Sequence, residues 1–121
     1  MVLVTASKTR RLVYLSFIGR VDTQELVNAV PEIASVLQDL SPGFRLLTDF
    51  ERLESMDLKG AGEIGRVMEL CDQKGVALVV RVIPEPSKDI GMNILSLFHY
   101  PHRPPMVTCA SMLEARRALS L

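Results

Sequence analysis

The sequence predicts an α/β domain: a mixed, mostly parallel sheet that opens with an N-terminal hairpin and carries about four helices, in the order β-β-α-β-α-β-α-β-α. Three observations predict it. Two short runs rich in β-branched and aromatic residues, 2–5 and 11–18, flank the polar stretch Ser7-Lys8-Thr9-Arg10 and read as a hairpin. Helix-start signals then alternate with further apolar runs along the chain, and strands separated by helices call for right-handed crossovers between parallel neighbours. Finally, Val76 to Ile83 is apolar at nearly every position between Gly75 and Pro84, as expected of a strand covered on both faces.

The elements follow in order. In the second strand Val13, Leu15 and Phe17 share one face, and Leu12, Tyr14, Ser16 and Ile18 the other. Gly19 ends it. Asp22, three residues before Glu25, opens a helix as a capping box does, by accepting from orphan N–H groups of the first turn. Behind it Leu26, Val30, Ile33, Leu37 and Leu40 form one stripe, so the helix runs to about residue 40, with a kink expected at Pro31. Ser41-Pro42-Gly43 stops it. Phe44 to Phe50 is the third strand, and 51–57 reads as a charged loop. Asp57 caps a helix over about 58–73, with Ala61, Ile64, Met68 and Cys71 inward and Gly75 just past its end. Ser87 to Phe98 reads as a third helix, Met106 to Ala110 as a last strand, and Ser111-Met-Leu-Glu114 as a capping box before a final helix to Leu119.

Composition narrows the function. At 121 residues, 48% of them apolar, the chain reads as one domain, 1–121, with enough apolar material for a core. Fourteen basic residues balance fourteen acidic ones, which argues against a nucleic-acid binder working through phosphate contacts. The balance is uneven along the chain: residues 1–20 hold four bases and no acid, whereas 21–72 hold eleven acids against four bases. Cys71 and Cys109 stand alone, matching neither a disulfide framework nor a zinc knuckle. No signal peptide or membrane-length apolar run is visible, so the expected location is the cytoplasm.

Several patterns could carry chemistry. Gly60-Ala-Gly62-Glu-Ile-Gly65 fits G-x-G-x-x-G, but a dinucleotide fingerprint needs its glycines in the turn directly after a strand. Here they fall in the first turns of a helix, each weakening it by roughly 1 kcal/mol relative to Ala, so something is expected to approach closely there. His99 and His102 form an H-x-x-H pair with too few further ligands for zinc, and a proline-held connection is the plainer reading. No metal, no cofactor and no catalytic group are expected, because no nucleophile–base pair converges and His99 is not adjacent in sequence to Cys71 or Cys109. Asp49, Glu51, Glu54 and Asp57 crowd the segment after the third strand, and loops at strand C-termini are where α/β sheets carry their sites.

The run Phe44-Arg-Leu-Leu-Thr-Asp-Phe50, the segment Asp57-Leu-Lys-Gly60-Ala-Gly62, the strand entry Lys74-Gly75-Val76-Ala-Leu-Val-Val80 and the start Ser111-Met-Leu-Glu-Ala115, taken in this order and spacing, resemble the STAS family of SpoIIAA-like domains. The resemblance spans nearly the whole chain. In the anti-sigma-factor antagonists of that family an Asp precedes two Ser and a Gly, and the second Ser is phosphorylated. Here Asp57 and Gly60 match, but Leu58 and Lys59 stand in place of the serines, so the phospho-switch is absent or moved, Ser55 being the nearest hydroxyl. The resemblance implies a non-enzymatic regulatory module that binds a protein through Glu54, Ser55, Met56, Asp57, Leu58, Lys59, Gly60 and Gly62, and the acidic bias of 21–72 points to a basic partner. A second copy of the chain is a further candidate partner. The chain also resembles the SpoIIAA-like group allied to SEC14-type lipid-binding domains, with Pro31 interrupting the first helix. That likeness implies an alternative, a carrier of a lipid or other small apolar ligand, with Met92, Leu95 and Phe98 lining the pocket or an interface.

Overall fold

The computed structural model describes residues 1–85, 95–96 and 99–121. Its main sheet has five strands in the order β1-β2-β4-β6-β7: β1 (Val2–Ser7), β2 (Leu12–Phe17), β4 (Arg45–Asp49), β6 (Leu78–Val82) and β7 (Met106–Cys109). β1 runs antiparallel to β2, and every later pair is parallel. Among the described residues three α-helices accompany the sheet, α1 (Thr23–Gln38), α2 (Ala61–Lys74) and α3 (Met112–Ala118). The expected helix over 87–98 falls mainly outside the described residues.

The alternation seen in β2 sorts the core into two layers. Val13, Leu15 and Phe17 point to the side of α1 and α2, where they meet Leu26, Ile33, Leu37, Ile64, Met68 and Cys71. Leu12 points the other way, toward the smaller cluster of Leu47, Val80, Val82, Ala115 and Leu119 that α3 covers. β6 is flanked by both clusters, which is why its run is apolar on both faces. Phe17 and Phe50 stack with ring centroids 4.8 Å apart.

Two of the three helices start on the caps expected of them, and one does not: Asp57 caps a 3-10 turn over Leu58–Gly60, and α2 begins only at Ala61, because Gly60 at its N-cap has no side chain to accept from the first turn. Asp22 accepts from Glu25 N–H at 2.8 Å and Ser111 Oγ from Glu114 N–H at 3.3 Å. α1 continues through Pro31 to Gln38. α2 ends at Gly75, whose φ of +90° is the left-handed cap that a side chain would strain. Arg45 ties the ends of the structure together: its guanidinium donates to Arg10 O of the hairpin turn and to Leu119 O beyond α3.

A second expectation is corrected. The segment 51–57 is not simply a charged loop: Leu53–Met56 forms a strand, β5, that pairs in parallel with β3 (Gly19–Val21) as a separate two-stranded sheet. Gly19 therefore opens a new strand as well as closing β2, and Gly19 N–H donates to Arg52 O at 2.9 Å.

Candidate functional site

The residues singled out after the third strand lie along β5 and the start of α2. β3 fixes β5 in place, with Arg20 opposite Ser55 and Val21 opposite Met56. The register shift between Gly19 and Arg20 breaks strict alternation here: Leu53 and Met56 at the two ends of β5 pack on the core, whereas Glu54 and Ser55 between them stand exposed. Arg20 Nε lies 3.7 Å from Glu54 Oε2, a surface ion pair that contributes little energy but sets two opposite charges side by side.

Asp57 then turns the chain. Its backbone N–H donates to Val21 O at 3.1 Å, so the turn begins from the small sheet. Its carboxylate accepts from Lys59 N–H (3.1 Å) and from Thr23 Oγ1 (2.9 Å), which joins the entrance of α2 to the first turn of α1. The Lys59 amide, followed by the Thr23 hydroxyl, holds the Asp57 carboxyl below its ordinary range. Leu58–Gly60 is a single 3-10 turn that hands over to α2. Gly60 is buried: a Cβ there would lie 2.2 Å from Leu26 Cδ1, so this glycine lets α1 and the turn approach. Leu58 is left 91% exposed, with Lys59 and Gly62 also in solvent. The arrangement is an exposed ridge of Glu54, Ser55, Asp57, Leu58, Lys59 and Gly62, backed by buried Gly60 and half-buried Met56.

The other acidic residue of interest, Asp49, is not on this ridge. It is buried at the end of β4, accepts from Tyr14 Oη at 2.7 Å and from Glu51 N–H at 2.9 Å, and so closes the strand end. Burial, then the bond to Asp49, pushes the Tyr14 phenol up.

Both histidines find partners that the local sequence does not announce. His99 Nδ1 lies 2.6 Å from Glu69 Oε1, and His102 Nδ1 lies 2.6 Å from Asp72 Oδ2. The buried Asp72 also accepts from His102 N–H at 3.1 Å. The signal was in the spacing: Glu69 and Asp72 are i, i+3 on one face of α2 and match the i, i+3 of the H-x-x-H pair. Gly65, the third glycine, lies under the ring of His99, where a Cβ would sit 2.6–2.8 Å from three ring atoms. The close approach expected of these glycines is thus made by Leu26 at Gly60 and by His99 at Gly65, while nothing lies within 4 Å of a Cβ at Gly62.

The remaining candidates separate. No three His, Cys, Asp or Glu side chains among the described residues stand together as a metal-binding group. Both cysteines are buried; burial raises the Cys71 thiol to about 12 and, with Glu114 adding to it, raises Cys109 too. Leu95 is half-buried against the core, whereas Met92 and Phe98 lie outside the described residues. Between the sheet and α2 there is a cavity of about 20 Å³, lined by Leu15, Phe17, Phe50, Met68, Arg81 and Tyr100, which is room for one water rather than an acyl chain. Among the described residues no helix is long and apolar enough to cross a membrane.

Comparison with known proteins places the fold. No protein-family model matches the chain, and no curated protein matches it by sequence. Solved structures do. The anti-sigma factor antagonist SpoIIAA in its unphosphorylated form superposes with a TM-score of 0.64 at 22% identity, over 99% of this chain and 98% of that one. A protein of the DUF3478 family from Shewanella loihica PV-4, described as having a SpoIIAA-like fold, gives 0.71 at 15% identity, over 98% and 92%. An anti-sigma factor antagonist from Mycobacterium paratuberculosis gives 0.61 at 20% identity, over 100% and 94%. The chain has the SpoIIAA-like, STAS-type fold.

Proposed function

We propose that this domain is a non-enzymatic regulatory module of the STAS kind, one that works by docking a protein partner on the ridge from Glu54 to Gly62. The observation that carries the proposal is Leu58: a large apolar side chain held 91% in water by a turn that Asp57 caps and fastens to the first residue of α1. A fixed, exposed apolar residue ringed by charge is the form of an interface anchor with a polar rim. The ridge lies within the acidic stretch 21–72, which favours a basic partner. The solved antagonists share the fold, and Asp57 and Gly60 match the switch segment of the family that the sequence resembles. With Leu58 and Lys59 in place of the serine pair, docking here runs without that phosphate switch. The domain acts in the cytoplasm on this reading.

The test is affinity capture with the purified domain as bait, comparing wild type with Leu58→Asp and with Glu54→Lys. Both positions are exposed, so folding is preserved and a circular dichroism spectrum checks it. Proteins retained by wild type and lost from both variants support the ridge; the same proteins retained by both variants refute it. A carrier of an apolar ligand is the alternative, and native mass spectrometry reads it directly as a discrete added mass.

A further inference from the structure

The two edges of the main sheet are finished differently. β7 is four residues long, is preceded by Pro104-Pro105 and is followed at once by α3. β1 is six residues, Val2-Leu-Val-Thr-Ala-Ser7, with no charge, proline or register shift along its pairing with β2. Natural sheets blunt exposed edges with such features, and an edge without them is a template for another strand.

The register shows which groups β1 offers. Met1 and Ile18 exchange both backbone bonds, each at 2.8 Å. Bonded pairs alternate along an antiparallel ladder, so Leu3, Thr5 and Ser7 bond to β2, while the N–H and C=O groups of Val2, Val4 and Ala6 point outward from the sheet. We propose that β1 pairs with β1 of a second copy of this chain, antiparallel about a two-fold axis at Val4, to make one continuous ten-stranded sheet.

The geometry is self-complementary. With Val4 on the axis, Val4 meets its own counterpart and Val2 meets Ala6, every pair of the bonded kind, so six outward groups on each copy find partners. Val2 and Val4 face the α1 side, where the cross-strand apolar pairs form continuously with the core layer beneath α1. On the opposite face Leu3, 46% exposed, comes to lie beside Thr5 of the other copy. Charge agrees. The turn after β1 carries Lys8, Arg10 and Arg11, and antiparallel pairing brings it to the start of the other copy's β1, where the Glu25 carboxylate, already 2.9 Å from its own Met1 ammonium, can take a second cation. A parallel partner would set basic turn against basic turn. The seam is narrow, so the dimer is concentration-dependent.

Sedimentation velocity over a concentration series, together with amide hydrogen exchange, tests the pairing. Wild type is expected to shift from monomer to dimer as concentration rises, with exchange at Val2, Val4 and Ala6 slowing in step. Val4→Pro, which removes an outward N–H that β2 does not use, is expected to weaken association about tenfold or more, because the central bonds go from both copies. Lys8→Glu is expected to weaken it too, and raising the salt concentration to weaken the wild-type dimer more than the Lys8→Glu one. A wild type that stays monomeric throughout, or a dimer whose Val2, Val4 and Ala6 amides exchange as fast as in the monomer, overturns the proposal. So does a dimer that survives Val4→Pro unchanged. Should that variant fail to fold, the exchange pattern of wild type decides alone.

Discussion

Gly62 and Gly65 sit three residues apart on one helix, and replacing each with alanine is expected to change stability in opposite directions. In a helix, Gly→Ala gains up to about 1 kcal/mol from backbone entropy. At Gly62 nothing opposes that gain, since an added Cβ meets no atom within 4 Å. Gly62→Ala therefore stabilises by about 0.5 kcal/mol, the lower figure reflecting its place in the first turn. At Gly65 the Cβ would lie 2.6–2.8 Å from three atoms of the His99 ring, so the ring must leave. Its departure breaks the bond to Glu69, which with Glu69 half in solvent is about 1 kcal/mol, and forfeits the ring's packing on α2, about another 1 kcal/mol. Against the helix gain the net is a loss of about 1 kcal/mol, a fall in midpoint of about 4 °C for a domain of this size. Urea and thermal unfolding of wild type, Gly65→Ala, His99→Ala and the double variant form a cycle. Once His99 is gone, Gly65→Ala should become stabilising, giving a coupling of about 2 kcal/mol. A Gly65→Ala protein as stable as wild type, or one equally destabilised without His99, would refute the reasoning.

Three further outcomes follow from the same contacts. Asp72→Ala leaves the backbone N–H and the ring of His102 without their buried acceptor, and is expected to cost about 1–3 kcal/mol in urea unfolding. The Asp57 carboxyl is held below its unfolded value, so its contribution is present above that value, near 3.8, and is lost as pH falls through the lower folded value. Asp57→Asn should accordingly flatten the acid limb of a stability–pH profile, and an unchanged limb would contradict the two bonds assigned to it. Both cysteines should resist a thiol reagent at pH 8 in the native protein and react fully in urea, since both are buried with raised thiols.

What could be read in the sequence was whatever repeats within a short window. The stripe of Leu26, Ile33 and Leu37, the two faces of β2, and the caps at Asp22 and Ser111 are all signals between residues a turn or two apart, and each is present in the fold. β3 and β5 escaped because their support is mutual and distant: three residues pair with four from a separate part of the chain, and Glu54-Ser55 in the middle of β5 breaks any apolar alternation. The carboxylates of α2 that hold His99 and His102 are likewise remote in sequence, so the histidines looked unpartnered. At the ridge, composition drew attention to Glu54 and Asp57 as a solvated acidic cluster. Only the folded chain separates their roles, Asp57 as the fastening of the turn to α1 and Leu58 as the exposed side chain that this fastening displays.

The sheet order also sets the order of events in folding. The β1–β2 hairpin closes across a short polar turn, whereas β2–β4, β4–β6 and β6–β7 must each close a long crossover before a single parallel bond forms. The hairpin therefore forms on the microsecond scale, and the slow step belongs to the docking of β4 and β6 beside it. Until β4 arrives, β2 has one partner and an open side of its own. During that interval the chain presents Val13, Leu15 and Phe17 to solvent, and a crowded, newly made population of this protein has its strongest tendency to aggregate then.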